Sequence, residues 1–201
     1  MAEIIICRAS EVLKIVTENP VAAVLSIEHP GAALDKSGAA PRLVDNGHDK
    51  IPQKILVFWD SEQPVKDGPD VEQVKAGIEF VMDHISKGPV IIHCHAGKAR
   101  SVGVALGVLS LVYPDKEEKE LLDMLLAIRP QAAPNILVVE MVDQLTGRGG
   151  KLLQAVLGHP VLSEQRAKAE RNRKDMMEER PEYYKRMFPE KFPQEPKGPQ
   201  P

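Results

Sequence analysis

In the first half of the chain, short apolar runs alternate with segments whose apolar residues recur every three or four positions. Residues 4–7 form an uninterrupted run of the kind that makes a strand buried on both faces. Val12, Leu13, Ile15 and Val16 then take up helical spacing, with Ser10 as the expected N-cap and Asn19-Pro20 as the stop. Residues 22–27 and 55–59 repeat the strand pattern, separated by a segment rich in Pro, Gly and Asp (28–50) that reads as a long loop. Val71, Val74, Ile78, Val81 and Ile85 predict a second amphipathic helix, capped by Asp70 with Gln73 in the capping-box position. Gly88-Pro89 ends that helix, and residues 90–93 are a fourth strand.

After Cys94 the pattern becomes helical throughout. Residues 100–112 are apolar nearly all round, which predicts a central buried helix. Gly103 and Gly107 let other backbones approach it closely. "DKEEKELLDMLLAI" is amphipathic with Asp115 as the expected cap, "PNILVVEMVDQL" follows Pro134, and residues 151–157 add another helix. From about residue 163 the chain is charged and helix-prone, and "MFPEKFPQEPKGPQP" is Pro-rich and reads as extended or disordered. Two strand–helix–strand passages followed by helices predict the α/β class, with a small, mainly parallel central sheet flanked by helices and an all-helical C-terminal half. The expected division is a domain over residues 1–160 and a charged, Pro-rich tail over 161–201.

Composition narrows the function classes. At 201 residues and 43% hydrophobic content the chain supports one core of ordinary size. A formal net charge of -3 argues against bulk attraction to nucleic acid. Two cysteines, Cys7 and Cys94, make no disulfide framework and suit a reducing, cytoplasmic setting. Glu3 and the brevity of the first apolar run speak against a signal peptide, and no run is long enough for a membrane span.

The candidate chemistry lies in "VIIHCHAGKARSVGVALGVL". Ligands of parallel α/β sheets bind beyond the carboxyl ends of the strands, where Cys94 is expected. A short loop running from Cys94 into a helix can turn its backbone N–H groups inward around a phosphate-like anion. The same field favours thiolate over thiol at Cys94. Arg100 can bind two phosphate oxygens with its planar fork, and Gly97 permits the tight turn.

"HCHAGKARS" resembles the signature loop, His-Cys-x5-Arg-Ser/Thr, of the cysteine-dependent protein tyrosine phosphatase superfamily. The compact chain resembles its small dual-specificity branch. "HCHAGKARS", "PQAAPNILVVEMVDQLTGRGG" and "VFWD" together look like a group of small bacterial tyrosine phosphatase-like proteins. The resemblance spans roughly residues 3–157. It implies Cys94 as nucleophile forming a phosphocysteine, Arg100 as the phosphate-binding arginine, and Ser101 as the hydroxyl that helps the sulfur leave. His93 would orient the loop, and His93, His95, Ala96, Gly97, Lys98 and Ala99 would make up the phosphate-binding loop. It also implies a general acid on the loop after an earlier strand. Asp60 fits that position, with Asp67 and Asp70 as rivals, although Asp70 is better explained as a helix cap and Asp67 adjoins a turn glycine. Asn135 would steady the signature loop.

Other readings compete. Cys94 could be an inert core thiol, and Cys7 reads as core packing rather than a redox partner. His93, Cys94 and His95 alternate across a strand and chelate poorly, so neither metal nor cofactor is expected. His29, His48, His84 and His159 read as ordinary polar or surface positions, and Trp59 as core or loop anchor. The leading function is a protein-tyrosine or dual-specificity phosphatase, acting on a phosphorylated protein. Lys98 and His95 point to the alternative of phosphoinositides or soluble inositol phosphates, a lipid or small-molecule substrate for the same chemistry. A non-catalytic phosphate-binding module and a rhodanese-like sulfurtransferase complete the set. The tail reads as a solvated helix face, with an unidentified partner as the alternative.

Overall fold

The structure is a computed structural model describing residues 3–32, 39–182 and 185. Strands β1 (Ile4–Arg8), β2 (Ala23–Glu28), β3 (Gln53–Val57) and β4 (Val90–Cys94) form one sheet in the order β1-β4-β2-β3. Every pairing is parallel, as expected of strands joined by crossovers. β4 is central, with Cys94 opposite Arg8 of β1 on one side and Ile27 of β2 on the other. β2 and β4 are buried along their whole length, which is why both read as continuous apolar runs.

Alternation along the strands divides the core in two. Ile4, Ile6, Leu25, Ile27, Ile92 and Cys94 face the larger cluster, built with helices α2 (Val71–Ile85), α3 (Arg100–Val112), α4 (Glu118–Ile128) and α5 (Ile136–Leu145). Cys7, Val24 and Ile91 face the other side, under Val12 and Val16 of α1 (Val12–Glu18). Helix α3 is buried from Arg100 through Ser110. It is packed so closely that a Cβ on Gly103 would come within 2.7 Å of Val138, and one on Gly107 within 2.7 Å of Ile78. Helices α6 (Lys151–Gly158) and α7 (Pro160–Glu179) follow.

Several local expectations are corrected. Ser10 lies inside a 3-10 turn (Ala9–Glu11) and caps nothing; the Arg8 amide donates instead to Glu11 Oε2 at 3.0 Å. Asp115 is not the cap of α4: that end is closed by Glu117 and Glu120, the Glu117 amide donating to Glu120 Oε2 at 3.1 Å. β3 covers 53–57 rather than 55–59, because the backbone of Phe58 and Trp59 is drawn into tertiary hydrogen bonds described below. Asp70 caps α2 as expected, its Oδ1 accepting from the Gln73 amide at 2.8 Å.

The expected boundary at residue 160 falls on the first residue of α7. Just beyond it, Leu162 is fully buried in the larger core cluster, and Arg166 donates to both carboxylate oxygens of Glu62 at 3.1 and 3.2 Å. The Pro-rich stretch 187–201 lies outside the described residues. No helix among the described residues is long and apolar enough to cross a membrane.

Candidate active site

β4 delivers Cys94 to the carboxyl edge of the sheet, and residues 95–99 turn the chain directly into α3. Gly97 makes the turn possible. Its φ is +63°, and a Cβ there would collide with the Cys7 carbonyl, so the loop rests on the end of β1. The Ala9 amide donates to the His95 carbonyl at 3.2 Å from the same side. Arg129, at the end of α4, donates from Nε to the Gly97 carbonyl at 2.9 Å and from Nη2 to the Ala96 carbonyl at 3.3 Å. The Ala133 amide donates to the Lys98 carbonyl at 2.8 Å. With its carbonyls engaged outward, the loop's N–H groups are left for the interior. Arg129 was missed by the sequence reading; an arginine at a helix end carries no local signal that it reaches a loop 32 residues away.

Within the loop, Cys94 Sγ lies 3.3 Å from Ser101 Oγ, and both side chains are buried. Burial works against ionisation of Cys94. The Arg100 guanidinium, the Ser101 hydroxyl and the Ser101 amide together outweigh it, holding the thiol below its ordinary range, while Asp60 opposes them. Arg100 is itself buried. Its Nη1 donates to the Phe58 carbonyl at 2.7 Å, tying the signature loop to the chain just after β3. Its Nε is buried without a partner among the described residues. A buried unpaired guanidinium N–H is costly, and an oxyanion beside it removes that cost.

Asp60 follows Phe58 and Trp59 on this second loop. The Trp59 amide donates to the Asp67 carbonyl at 2.9 Å, and Asp67 has a φ of +56°, so Asp67 closes the loop through its backbone. Asp70 is occupied with Gln73. Asp60 is held from a third element: Asn135 Nδ2 donates to Asp60 Oδ1 at 2.8 Å and to the Ser61 carbonyl at 2.9 Å. Asn135 Oδ1 meanwhile caps α5 by accepting from the Val138 amide at 3.0 Å. Asn135 therefore steadies the acid-bearing loop by its side chain, and touches the signature loop only through its amide, 3.4 Å from the Ala99 carbonyl.

His93 is fully buried, its Nε2 lies 2.7 Å from Ser26 Oγ on β2, and its ring also interacts with the Cys94 backbone. Burial pushes its pKa down to about 4, so it is neutral at pH 7. His95 is exposed on the loop, and its pKa is also lowered, by partial burial and then by Arg100 and His29. His29 is not a surface residue: it is 5% exposed and stacks on Trp59, with ring centroids 5.4 Å apart and planes 4° from parallel. Cys7 and Cys94 face opposite sides of the sheet, and burial followed by Glu11 pushes the Cys7 thiol up to about 12.

A parallel sheet ending in a Cys-x5-Arg loop, faced by an aspartate-bearing loop, defines a class, and the comparisons agree on its fold. The chain has the fold of dual-specificity phosphatases. It superimposes on the human tyrosine phosphatase-like serine/threonine/tyrosine-interacting protein with a TM-score of 0.59, at 13% identity over 74% of this chain and 93% of that one. PTPMT1 aligns with a TM-score of 0.56 at 16% identity, covering 77% and 94% of the two chains, and its complex with PI(5)P aligns equally well. DUSP15 aligns with a TM-score of 0.55 at 18% identity over 80% and 93%.

The sequence profile of the Rit1 DUSP-like domain matches residues 71–180, more than half of the chain, and the chain belongs to that family. The matched segment contains the signature loop and runs through α7; Asp60 precedes it. No curated protein sequence matches the chain.

Proposed function

We propose that the protein is a phosphomonoesterase working through a Cys94 phosphocysteine. The observation that carries this is Arg100: its guanidinium is buried beside Cys94, bonded to the Phe58 carbonyl by Nη1, and its Nε has no partner among the described residues. In the first step the Cys94 thiolate attacks phosphorus and an S–P bond forms. The P–O ester bond breaks, and Asp60 donates its proton to the departing oxygen. In the second step water attacks the phosphocysteine, Asp60 takes the proton, and phosphate and thiolate are released. The Ser101 hydroxyl, 3.3 Å from Sγ, stabilises the sulfur as it leaves. Arg100 and the loop amides hold the equatorial oxygens throughout.

The primary substrate class is a phosphorylated protein, on tyrosine or with dual specificity. Lys98 supports a second reading, a phosphorylated lipid or small molecule hydrolysed by the same chemistry; PTPMT1, which shares the fold, is known in complex with PI(5)P. The domain proposed for this activity covers residues 1–160, and we place it in the cytoplasm, a reading supported by two unpaired buried thiols. The test is phosphate release from 4-nitrophenyl phosphate and a phosphotyrosine peptide without added metal. Vanadate should inhibit and Cys94→Ser should abolish turnover. Undiminished activity in that variant would remove the covalent mechanism, and ligand binding with no turnover by the wild type would point to a phosphate-binding module.

A further inference from the structure

A cavity of about 890 Å³ adjoins the signature loop on the side of β1 and α1. His95 and Lys98 of the loop form one wall, and neither Cys94 nor Arg100 lines it. Leu13 and Pro41 contribute apolar surface, and Arg8 and Arg42 enter from the ends of two different segments. Among the described lining residues are three cations, Arg8, Arg42 and Lys98, and no carboxylate. The chain as a whole is acidic, at -3, so this concentration of positive charge is local.

Both arginines are braced from behind. Glu11 lies 3.4 Å from Arg8 Nε and also accepts from the Arg8 amide, so it engages one edge of the guanidinium. Glu28, 6% exposed at its side chain, receives Arg42 Nη1 at 2.7 Å and Nη2 at 2.9 Å, and accepts from the Ala40 amide at 2.9 Å. That pairing fixes the segment bearing Ala40, Pro41 and Arg42 as a wall. The Lys98 ammonium makes no ion pair with any described residue and is half-buried. His95, neutral at pH 7, can donate from one ring nitrogen.

We infer that this cavity is a second anion subsite, in which Arg8 and Lys98 bind a further phosphate or phosphodiester group of the substrate whose reacting phosphate lies at Cys94. The inference rests on the reading of the Cys94 loop as a phosphoryl site, and of the two substrate classes proposed for it favours the second, a small or lipid phosphomonoester carrying a further phosphate, over the phosphorylated protein. A cavity of this size suits a whole small ligand. One phosphorylated side chain at Cys94 would leave it unfilled and Lys98 without an ionic partner among the described residues. The second phosphate can belong to a soluble compound or to a lipid headgroup, since the chemistry that Arg8 and Lys98 recognise is the same.

The experiment uses the full chain carrying Cys94→Ser, so that binding is read without turnover. Calorimetry compares inositol 1,4-bisphosphate with inositol 4-phosphate, then phosphatidylcholine vesicles with and without phosphatidylinositol 4-phosphate, then a phosphotyrosine peptide. The bisphosphate should bind roughly tenfold or more tightly than the monophosphate, the scale of one charge-assisted contact. Adding Arg8→Gln, or separately Lys98→Ala, should bring the two affinities together. Stronger capture by the phosphoinositide vesicles than by soluble bisphosphate would assign the second phosphate to a lipid. Equal affinity for mono- and bisphosphate, or a preference that survives both substitutions, overturns the subsite. So does preferential binding of the phosphotyrosine peptide. Failure of the phosphoryl-site reading would appear separately, as wild-type protein inert on 4-nitrophenyl phosphate.

Discussion

Asn135 and Asp60 stand 75 residues apart in the chain and are joined by a hydrogen bond of 2.8 Å, Asn135 Nδ2 donating to Asp60 Oδ1. The donor is fixed because the same side chain caps α5 through its oxygen. The bond holds the carboxyl group in a fixed position, which is what a residue serving first as acid and then as base requires. Asp60→Ala should slow turnover by about 10²–10⁴-fold on phenyl phosphate and far less on a phosphate of a very acidic phenol. Asp67→Ala and Asp70→Ala should show neither the slowing nor the leaving-group dependence. Asp70→Ala should instead cost about 1 kcal/mol through the lost cap of α2. A leaving-group-dependent loss that appears in Asp67→Ala and not in Asp60→Ala would transfer the role.

Cys94 and Cys7 should separate cleanly by alkylation. The Cys94 thiol is held below its ordinary 9.0, against burial, by Arg100 and Ser101, whereas burial pushes Cys7 up to about 12. Iodoacetate at pH 7 should modify one cysteine per chain, with a rate rising along a single titration centred below 9.0. Arg100→Met should move that midpoint upward. Mass spectrometry finding the label on Cys7, or an unmoved midpoint in Arg100→Met, would contradict the electrostatic assignment.

Gly97→Ala combines two penalties, a positive φ and a collision with the Cys7 carbonyl. Gly147→Ala has the first alone, since φ is +67° but nothing lies within 4 Å of its Cβ. Gly147→Ala should therefore cost about 1–2 kcal/mol, the ordinary strain of the left-handed region. Gly97→Ala should exceed it clearly and abolish activity, because the loop must lift off β1. Denaturant unfolding and the 4-nitrophenyl phosphate assay decide both; equal costs would mean that the contact with β1 is slack.

His93 predicts a loss of stability in mild acid. Its pKa is about 4 in the fold against an ordinary 6.5. Between those values the unfolded chain binds the proton and the fold does not. Stability is therefore full above pH 6.5 and declines toward pH 4, by on the order of 3 kcal/mol. His93→Gln should remove that part of the slope and leave the part due to His95. Glu28 acts lower: burial raises its carboxyl, but Arg42 and the Ala40 amide outweigh this and hold it below 4.5, so its contribution fades only as pH falls through that range. Unfolding midpoints in urea at pH 7 and pH 5, equal for the wild type, would refute the His93 account.

The proposed boundary at residue 160 can be tested by cutting on either side of the first turns of α7. Ending the chain after Gly158 removes fully buried Leu162, worth about 1.5–3 kcal/mol, and the Arg166–Glu62 pair two residues from Asp60. Ending it after Glu182 removes neither. The longer form should match the full chain in thermal midpoint and activity, and the shorter should be less stable. Equal behaviour would place the whole helix outside the domain.

The parts of this protein legible in its sequence are those set by local periodicity. β1, β2 and β4 were readable because strands buried on both faces are continuous apolar runs, and α3 because only a central helix is apolar all round. The Cys-x5-Arg spacing was equally legible, since a loop that circles one anion has a fixed length. Tertiary contacts decided the rest. "ILVFW" reads as strand to its end, yet Arg100 and Asp67 draw off the backbone of Phe58 and Trp59, and no neighbour in sequence announces that. His29 looks like a loop histidine until Trp59 stacks on it. Arg129 and Asn135 brace loops 32 and 75 residues away, and the arginines of the cavity come from the end of β1 and from the connection between β2 and β3, which meet only in the folded chain. Periodicity reports which face of an element is buried. It cannot report which distant donor meets which acceptor, because that depends on how the crossovers bring the carboxyl ends of the strands together.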